Sequence, residues 1–402
     1  MSSGIRRLRT APWFWALLAA LAVLAWQALT VHANCAGNWT GLFRTGRTAP
    51  VPEPLARDLF RSAHPFGYDG QFYRLLAHDP FLLHGTEAYL DAPEMRARRI
   101  LVPLLAWALA GGQPGAIDGA YLLVILGSVF AGVWFLARTM LLLDRPAACG
   151  LLFLAVPAVI VAADTLTVDG TLAALAACFA FQWRSRGEPG WGLWLTLAAA
   201  GLVRETGLLL AAACVIGAIL QRNRRQAAFW AAAGLPALGW YGFVHLHFAL
   251  HAPGTGGHAS SFLNWVGPQP GLGIVVQVLH PERYPLLGAA VERLIRALDR
   301  LALVALAGAA VLAVLRLRRI GEAVAVRAAL ALQVVLLLAL KPGLFWIEPY
   351  GYGRVFAPLF VLLLAGGGRR AWRAAILVCA LVDIRVLAEL ETQALGVLRR
   401  LG

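Results

Sequence analysis

Runs of about twenty apolar residues, repeatedly closed by short arginine clusters, constrain this chain more than any other feature. A helix rises ~1.5 Å per residue, so such a run crosses the ~30 Å hydrocarbon core of a bilayer. Backbone in lipid must satisfy its own hydrogen bonds, which makes helix the form such runs take. Hydrophobic residues make up 60% of the chain and charged residues only 14%, against ~25% charged in a soluble domain. These numbers predict an all-α, polytopic transmembrane helical bundle. No polar stretch is long enough for a second, soluble domain, so residues 1–402 read as one membrane-embedded domain.

The formal net charge of +14 does not point to nucleic acid. The arginines form no single patch. They fall between apolar runs, as cytoplasmic loops require. Arg6, Arg7 and Arg9 place the amino terminus inside. The run from Ala11 to Val31 reads as a retained anchor, because it is long for a signal-peptide core. A long outer loop over 33–99 follows, with interfacial helices. The stretch Ile100 to Ala110, broken by Pro103, covers only ~16 Å as helix and is expected at the outer interface.

Further spans are expected near 118–138, 147–163, 170–184, 228–248, 299–315, 322–340, 355–368 and 372–390. Arg184 and Arg186 close the third of these. The segment Trp191 to Leu220 is interrupted by Arg204-Glu205-Thr206-Gly207. Two short helices meeting at that break put the basic clusters at both ends inside and bury Arg204 and Glu205 beneath the outer surface. Charge at that depth calls for a cavity lined by protein or water. The total is about eleven spans of bilayer length. A second outer loop runs over 249–298, and the stretch Ala289 to Arg300 is amphipathic enough to lie on the interface.

This topology sends acidic residues to one side. Asp69, Asp79, Glu87, Asp91, Glu94, Asp164, Asp169, Glu205 and Glu348 come out on the outer side, with Arg98, Arg99, Arg204, Lys341 and Arg354. Acidic residues near spans are costly and usually functional, so one outward-facing site is expected. Some have simpler uses. Asp79-Pro80 is a helix stop, Asp91 a cap for a helix beginning near Pro93, and Arg204 with Glu205 a candidate ion pair. His247 and His251 share a helix face, but no carboxylate completes a metal set and H-E-x-x-H is absent. Five cysteines supply no C-x-x-C and no disulfide framework. Walker A, G-x-S-x-G and dinucleotide signatures are missing.

The run Tyr68-Asp69-Gly70-Gln71-Phe72-Tyr73 stands directly after the first span. With Arg99-Ile100-Leu101-Val102-Pro103, Pro157 followed by Asp164 to Gly170, Leu202-Val203-Arg204-Glu205-Thr206-Gly207, and Arg354, it resembles, in order and spacing, the GT-C superfamily of integral-membrane glycosyltransferases. The chain is similar to bacterial relatives of the second mannosyltransferase of GPI-anchor synthesis and to proteins of cell-surface glycopolymer formation. Asp169 stands where that family carries Glu, and the aromatic-rich Phe-Phe-Pro is replaced.

The resemblance implies a GT-C-like fold in a bacterial inner membrane, with the site facing the periplasm or cell exterior. It implies a sugar donor on a polyprenyl phosphate and a glycan or glycolipid acceptor. Asp69 would be the general base. Tyr68, Gln71, Tyr73, Arg98, Arg99, Asp169, Arg204, Glu205, Glu348 and Arg354 would line the substrate site. No cofactor is required; a divalent metal could be held by Asp69 and Asp169. Asp69→Asn is expected to leave folding intact while abolishing transfer. The alternative is a flippase or transporter of a lipid-linked saccharide or other anion, and a glycopolymer-binding scaffold is a third reading.

Overall fold

The structure, a computed structural model, describes residues 11–185, 190–251, 265–284, 288–319 and 321–401. The basic residues Arg6, Arg7, Arg9 and Arg186 and much of the second loop lie outside the described residues.

Every named element is a helix. In chain order they are α1 (Pro12–Asn34), α2 (Gly70–His78), α3 (Pro93–Arg98), α4 (Leu101–Leu109), α5 (Pro114–Leu142), α6 (Pro157–Thr165), α7 (Asp169–Arg184), α8 (Trp191–Val203) and α9 (Leu208–Leu220). Then come α10 (Arg224–Ala232), α11 (Leu235–His251), α12 (Leu272–Leu279), α13 (Ala289–Leu317), α14 (Val324–Ala339), α15 (Pro349–Val355), α16 (Ala357–Leu364), α17 (Arg369–Ala388) and α18 (Glu391–Leu401). Proline in the first turn starts α1, α3, α5, α6, α15 and α16. There its fixed φ suits the helix and its missing N–H leaves no bond unmade. Pro103 sits in the first turn of α4 for the same reason.

Three helices are long and apolar enough to cross a membrane: α1, α5 and α13. Two bent pairs raise the number to five, the 3₁₀ turn Ala147–Ala155 with α6 at 68° and α10 with α11 at 41°. The other apolar segments are helical but short. The 16-residue α7 and α14 rise only ~24 Å, and α16 has eight residues. Helix α17 is longer but carries Arg373, Asp383 and Arg385. Eleven full-length spans are therefore not what the described residues contain. The amphipathic stretch from Ala289 is the first part of α13, continuous with its apolar portion, and not a separate surface helix.

The core sits where α5 packs on α1, α4 and α7, and where α13 packs on α14 and α17; α16 joins them by lying against α7. The residues of the long loop over 33–99 fold onto this frame. An isolated antiparallel bridge joins Thr45 to Gly67. Gln71 fastens the same loop, with Oε1 accepting from the Gly46 N–H and Nε2 donating to the Phe66 carbonyl.

Candidate functional site

Helix α2 begins at an unusually close crossing. A Cβ on Gly70 would lie 2.2 Å from the Thr165 carbonyl oxygen and 3.0 Å from that of Phe43. No larger residue fits, so the Asp-Gly pair brings the backbone against the end of α6 and sets Asp69 beside the start of α7. A second close approach shapes the break between α8 and α9. Arg204 is extended at φ −163° and ψ 150°, a 3₁₀ turn covers Glu205–Gly207, and a Cβ on Gly207 would come within 2.0 Å of the Ala200 carbonyl oxygen. The two expected short helices are there, and the break turns Arg204 and Glu205 toward different partners.

Those partners define a cluster. Arg96 meets both oxygens of Asp69, each at 2.8 Å. Arg354 donates to Asp69 Oδ2 at 2.6 Å and lies 3.6 Å from Asp169 Oδ2. Arg204 donates to Asp169 Oδ1. Arg99 donates from Nε to Glu205 and from Nη1 to the Tyr73 hydroxyl, both at 3.2 Å. Arg204 and Glu205 thus form no ion pair with one another: each neutralises a group on another segment. Four guanidiniums and three carboxylates from α2, α3, α7, α15 and the α8–α9 break meet here. Bidentate guanidinium–carboxylate contact is strong and directional, so each charge fixes the next.

Aromatic rings wall the cluster. The Arg96 guanidinium lies 4.8 Å from the Phe72 ring centre, and Arg354 lies 5.0 Å from that of Tyr68. Tyr68 meets Tyr350 edge to face at 5.3 Å. Two buried polar atoms have no hydrogen-bond partner, the Tyr68 hydroxyl and Asp169 Oδ2. Buried polar atoms normally find partners, so these two mark unspent capacity at the centre of the cluster. Burial pushes the Asp69 carboxyl upward, but Arg354 and Arg96 outweigh it and hold the group well below the ordinary carboxylate range.

Of the residues expected at the site, Asp69, Tyr68, Tyr73, Arg99, Asp169, Arg204, Glu205 and Arg354 come together. Glu348 is exposed at the rim, within electrostatic reach of Tyr68. Gln71 does not join, because both ends of its amide are committed to the loop backbone. Arg98 pairs with Glu94 and lies 6.0 Å from the Tyr241 ring centre.

Arg96 is the member that sequence reasoning missed. The signal was its spacing: Arg96 and Arg99 are three residues apart at a helix that starts at Pro93, so they share a face, and Arg98 does not. Asp91 does not cap that helix. Its carboxylate accepts from the Ala92 N–H and from Arg96. Asp79 does end α2 as expected, accepting from the Leu83 and His84 N–H groups. No group of three or more His, Cys, Asp or Glu suited to a metal occurs among the described residues. Asp69 and Asp169 both approach Arg354, which places a cation where a metal shared by the pair would have to sit.

Comparison with protein-family models, with curated proteins and with solved structures returns no match.

Proposed function

We propose that this cluster is the active site of a membrane glycosyltransferase. It would move a sugar from a polyprenyl-phosphate-linked donor to a cell-envelope glycan or glycolipid acceptor, on the outer side of a bacterial inner membrane. One observation carries the proposal: a largely buried aspartate stands among four arginines, next to apolar helices that could span a bilayer. The GT-C-like bundle of about eleven spans belongs to the same proposal, with the shorter helices crossing as bent or stacked pairs.

In the reaction the acceptor hydroxyl oxygen attacks the anomeric carbon. The bond from that carbon to the phosphate oxygen breaks, and the phosphate leaves with the electron pair. The acceptor proton passes to Asp69, and the anomeric centre inverts. Charge develops on the phosphate, where fixed guanidiniums stabilise it. Arg204 and Arg99 are within the cluster for this, and planar guanidinium suits phosphate oxygens.

The same geometry adds a condition. A carboxylate saturated by two arginines is a poor base, because its lone pairs are occupied and its charge is stabilised. Asp69 can take a proton only after a phosphate draws Arg96 or Arg354 away. Donor binding would therefore precede base action.

The test uses purified protein in vesicles, labelled polyprenyl-phosphate sugar and extracted acceptor. Transfer of label to acceptor is expected with wild type and not with Asp69→Asn. Label that crosses the bilayer without joining the acceptor would make the protein a transporter and overturn the proposal.

A further inference from the structure

A second polar feature lies away from the cluster. Trp372, Ile376, Asp383 and Leu387 follow one another at helical spacing on α17. They form one wall of an open groove of about 710 Å³, and Leu151 and Ile160 belong to the other. The lining is apolar apart from Asp383. Asp383 itself is only 6% exposed, and its Oδ1 has no hydrogen-bond partner. The nearest basic residue along the helix is committed elsewhere: Arg385 donates from Nε to Asp299 at 2.6 Å and from Nη1 to Glu389.

Depth decides what could satisfy such a carboxylate. Helix α17 packs along α13, one of the helices able to span a bilayer. Asp383 stands fourteen residues from Arg369, the basic end of α17, which is ~21 Å along the axis. If α17 crosses beside α13, that lies within a hydrocarbon core ~30 Å thick. An ionised carboxylate there is costly unless paired. Lipid amines sit at headgroup level and cannot reach it. A basic side chain on another membrane-spanning helix can. The residues Ala148, Cys149 and Ala155 on the opposite wall are small, which lets a helix backbone approach. Ile384 and Leu387 beside the groove are 45% and 51% exposed, an apolar face with nothing upon it among the described residues.

We infer that this groove seats a transmembrane helix of a partner protein that carries lysine or arginine at the depth of Asp383. The inference needs α17 to cross a bilayer, as in the bundle proposed above, and it does not depend on glycosyl transfer at Asp69.

Full-length protein in phosphatidylcholine vesicles tests it, with a labelled Leu/Ala host helix as probe. One peptide has lysine at the matching depth, one has leucine there, and one has the lysine moved a turn toward the interface. Energy transfer to labelled protein reads association. The matched lysine peptide should associate about tenfold more tightly than the leucine host, and the shifted lysine should lose that advantage. Asp383→Asn and Asp383→Leu should both abolish it; the leucine variant removes a buried polar group and so protects against a folding artefact. Equal association of lysine and leucine hosts with wild type would mean that lipid fills the groove, and would overturn the inference. So would an advantage that survives either substitution.

Discussion

Helix α7 carries arginine–carboxylate contacts at both ends, and the two ends are built differently. At Asp169 the charges come from five segments, face one another, and leave the Tyr68 hydroxyl and Asp169 Oδ2 without hydrogen bonds. At Arg184 a single carboxylate, Glu322, takes Arg184 and Arg316. There Arg316 also donates to the Leu362 carbonyl and Arg145 to the Gly367 carbonyl at 2.9 Å. Arginines on carbonyls at or just beyond a helix C-terminus satisfy bonds the helix leaves open and suit its negative end. The Arg184 end is therefore a clasp that ties loops to helices. At the Asp169 end four guanidiniums meet three carboxylates, whereas at the Arg184 end two guanidiniums share one. The contrast teaches that how many segments bring charge together, and whether polar atoms there stay without hydrogen bonds, distinguishes the two ends where burial and ion pairing do not.

The sharpest way to break this contrast is to remove one charge at each end. Asp69→Asn should lower transfer by ~10²–10⁴-fold, the usual share of a general base, and Glu322→Gln should leave transfer within about twofold while weakening the fold. Equal loss of transfer in two folded variants would show the ends to be alike. The structure also revises the expectation that Asp69→Asn leaves folding untouched. Two buried guanidiniums each lose one of two counter-charges, Arg96 keeping Asp91 and Arg354 keeping Asp169, so the cost stays below the ~3–5 kcal/mol of a fully broken buried pair. A lowered melting temperature in detergent is therefore expected alongside lost transfer, and Asp69→Glu should regain stability before it regains rate.

Gly70→Ala comes next. Its methyl group meets the Thr165 carbonyl, so α2 must move and carry Asp69 with it; overpacking of this kind costs ~1–3 kcal/mol. Transfer should fall at least tenfold, the usual consequence of ~1 Å misplacement. A variant as stable and active as wild type would show that the close crossing does not position Asp69. Arg96→Lys should follow, since a lysine keeps the charge and loses the bidentate contact. Its effect should appear in donor KM more than in melting temperature, whereas Arg98→Lys should change neither appreciably.

The smallest effect is in pH dependence. Asp69 is depressed in the folded protein, so its stabilising contribution is present above its unfolded value of ~4 and is lost only as pH falls through the lower folded value. For kcat/KM, which reports free enzyme, no acid limb from Asp69 should appear above about pH 4. If a bound donor draws the arginines away, the acid limb of kcat should lie at higher pH than that of kcat/KM. Coincident limbs would remove donor-dependent release from the mechanism.

Local features made part of the site legible. Asp69-Gly70 and Arg204 to Gly207 stand out in apolar surroundings because charge and glycine are expensive there, and each is found at a backbone crossing or break. The missed member, Arg96, sits among Arg98 and Arg99, and sequence proximity does not say which of three arginines turns inward. Gln71 shows the opposite error: it belongs to the motif by position and to the loop by its hydrogen bonds. Three helices, or five with the bent pairs, reach bilayer length; hydropathy registers apolar runs and does not register the 68° bend after Ala155 or the eight-residue length of α16.

By itself the sequence determined an all-helical, lipid-compatible chain, several of the places where its helices start and stop, and the polar loop segment that carries Asp69. These follow from composition, proline and glycine positions and charge spacing, which act over a few residues. Only the tertiary structure decided that Arg96 and Arg354 clamp Asp69, that Arg204 turns to Asp169 while Glu205 turns to Arg99, and that Asp383 lines an apolar groove. Ion pairs between residues 27 to 285 positions apart depend on helix phase and crossing geometry, and those are set by how the whole bundle packs.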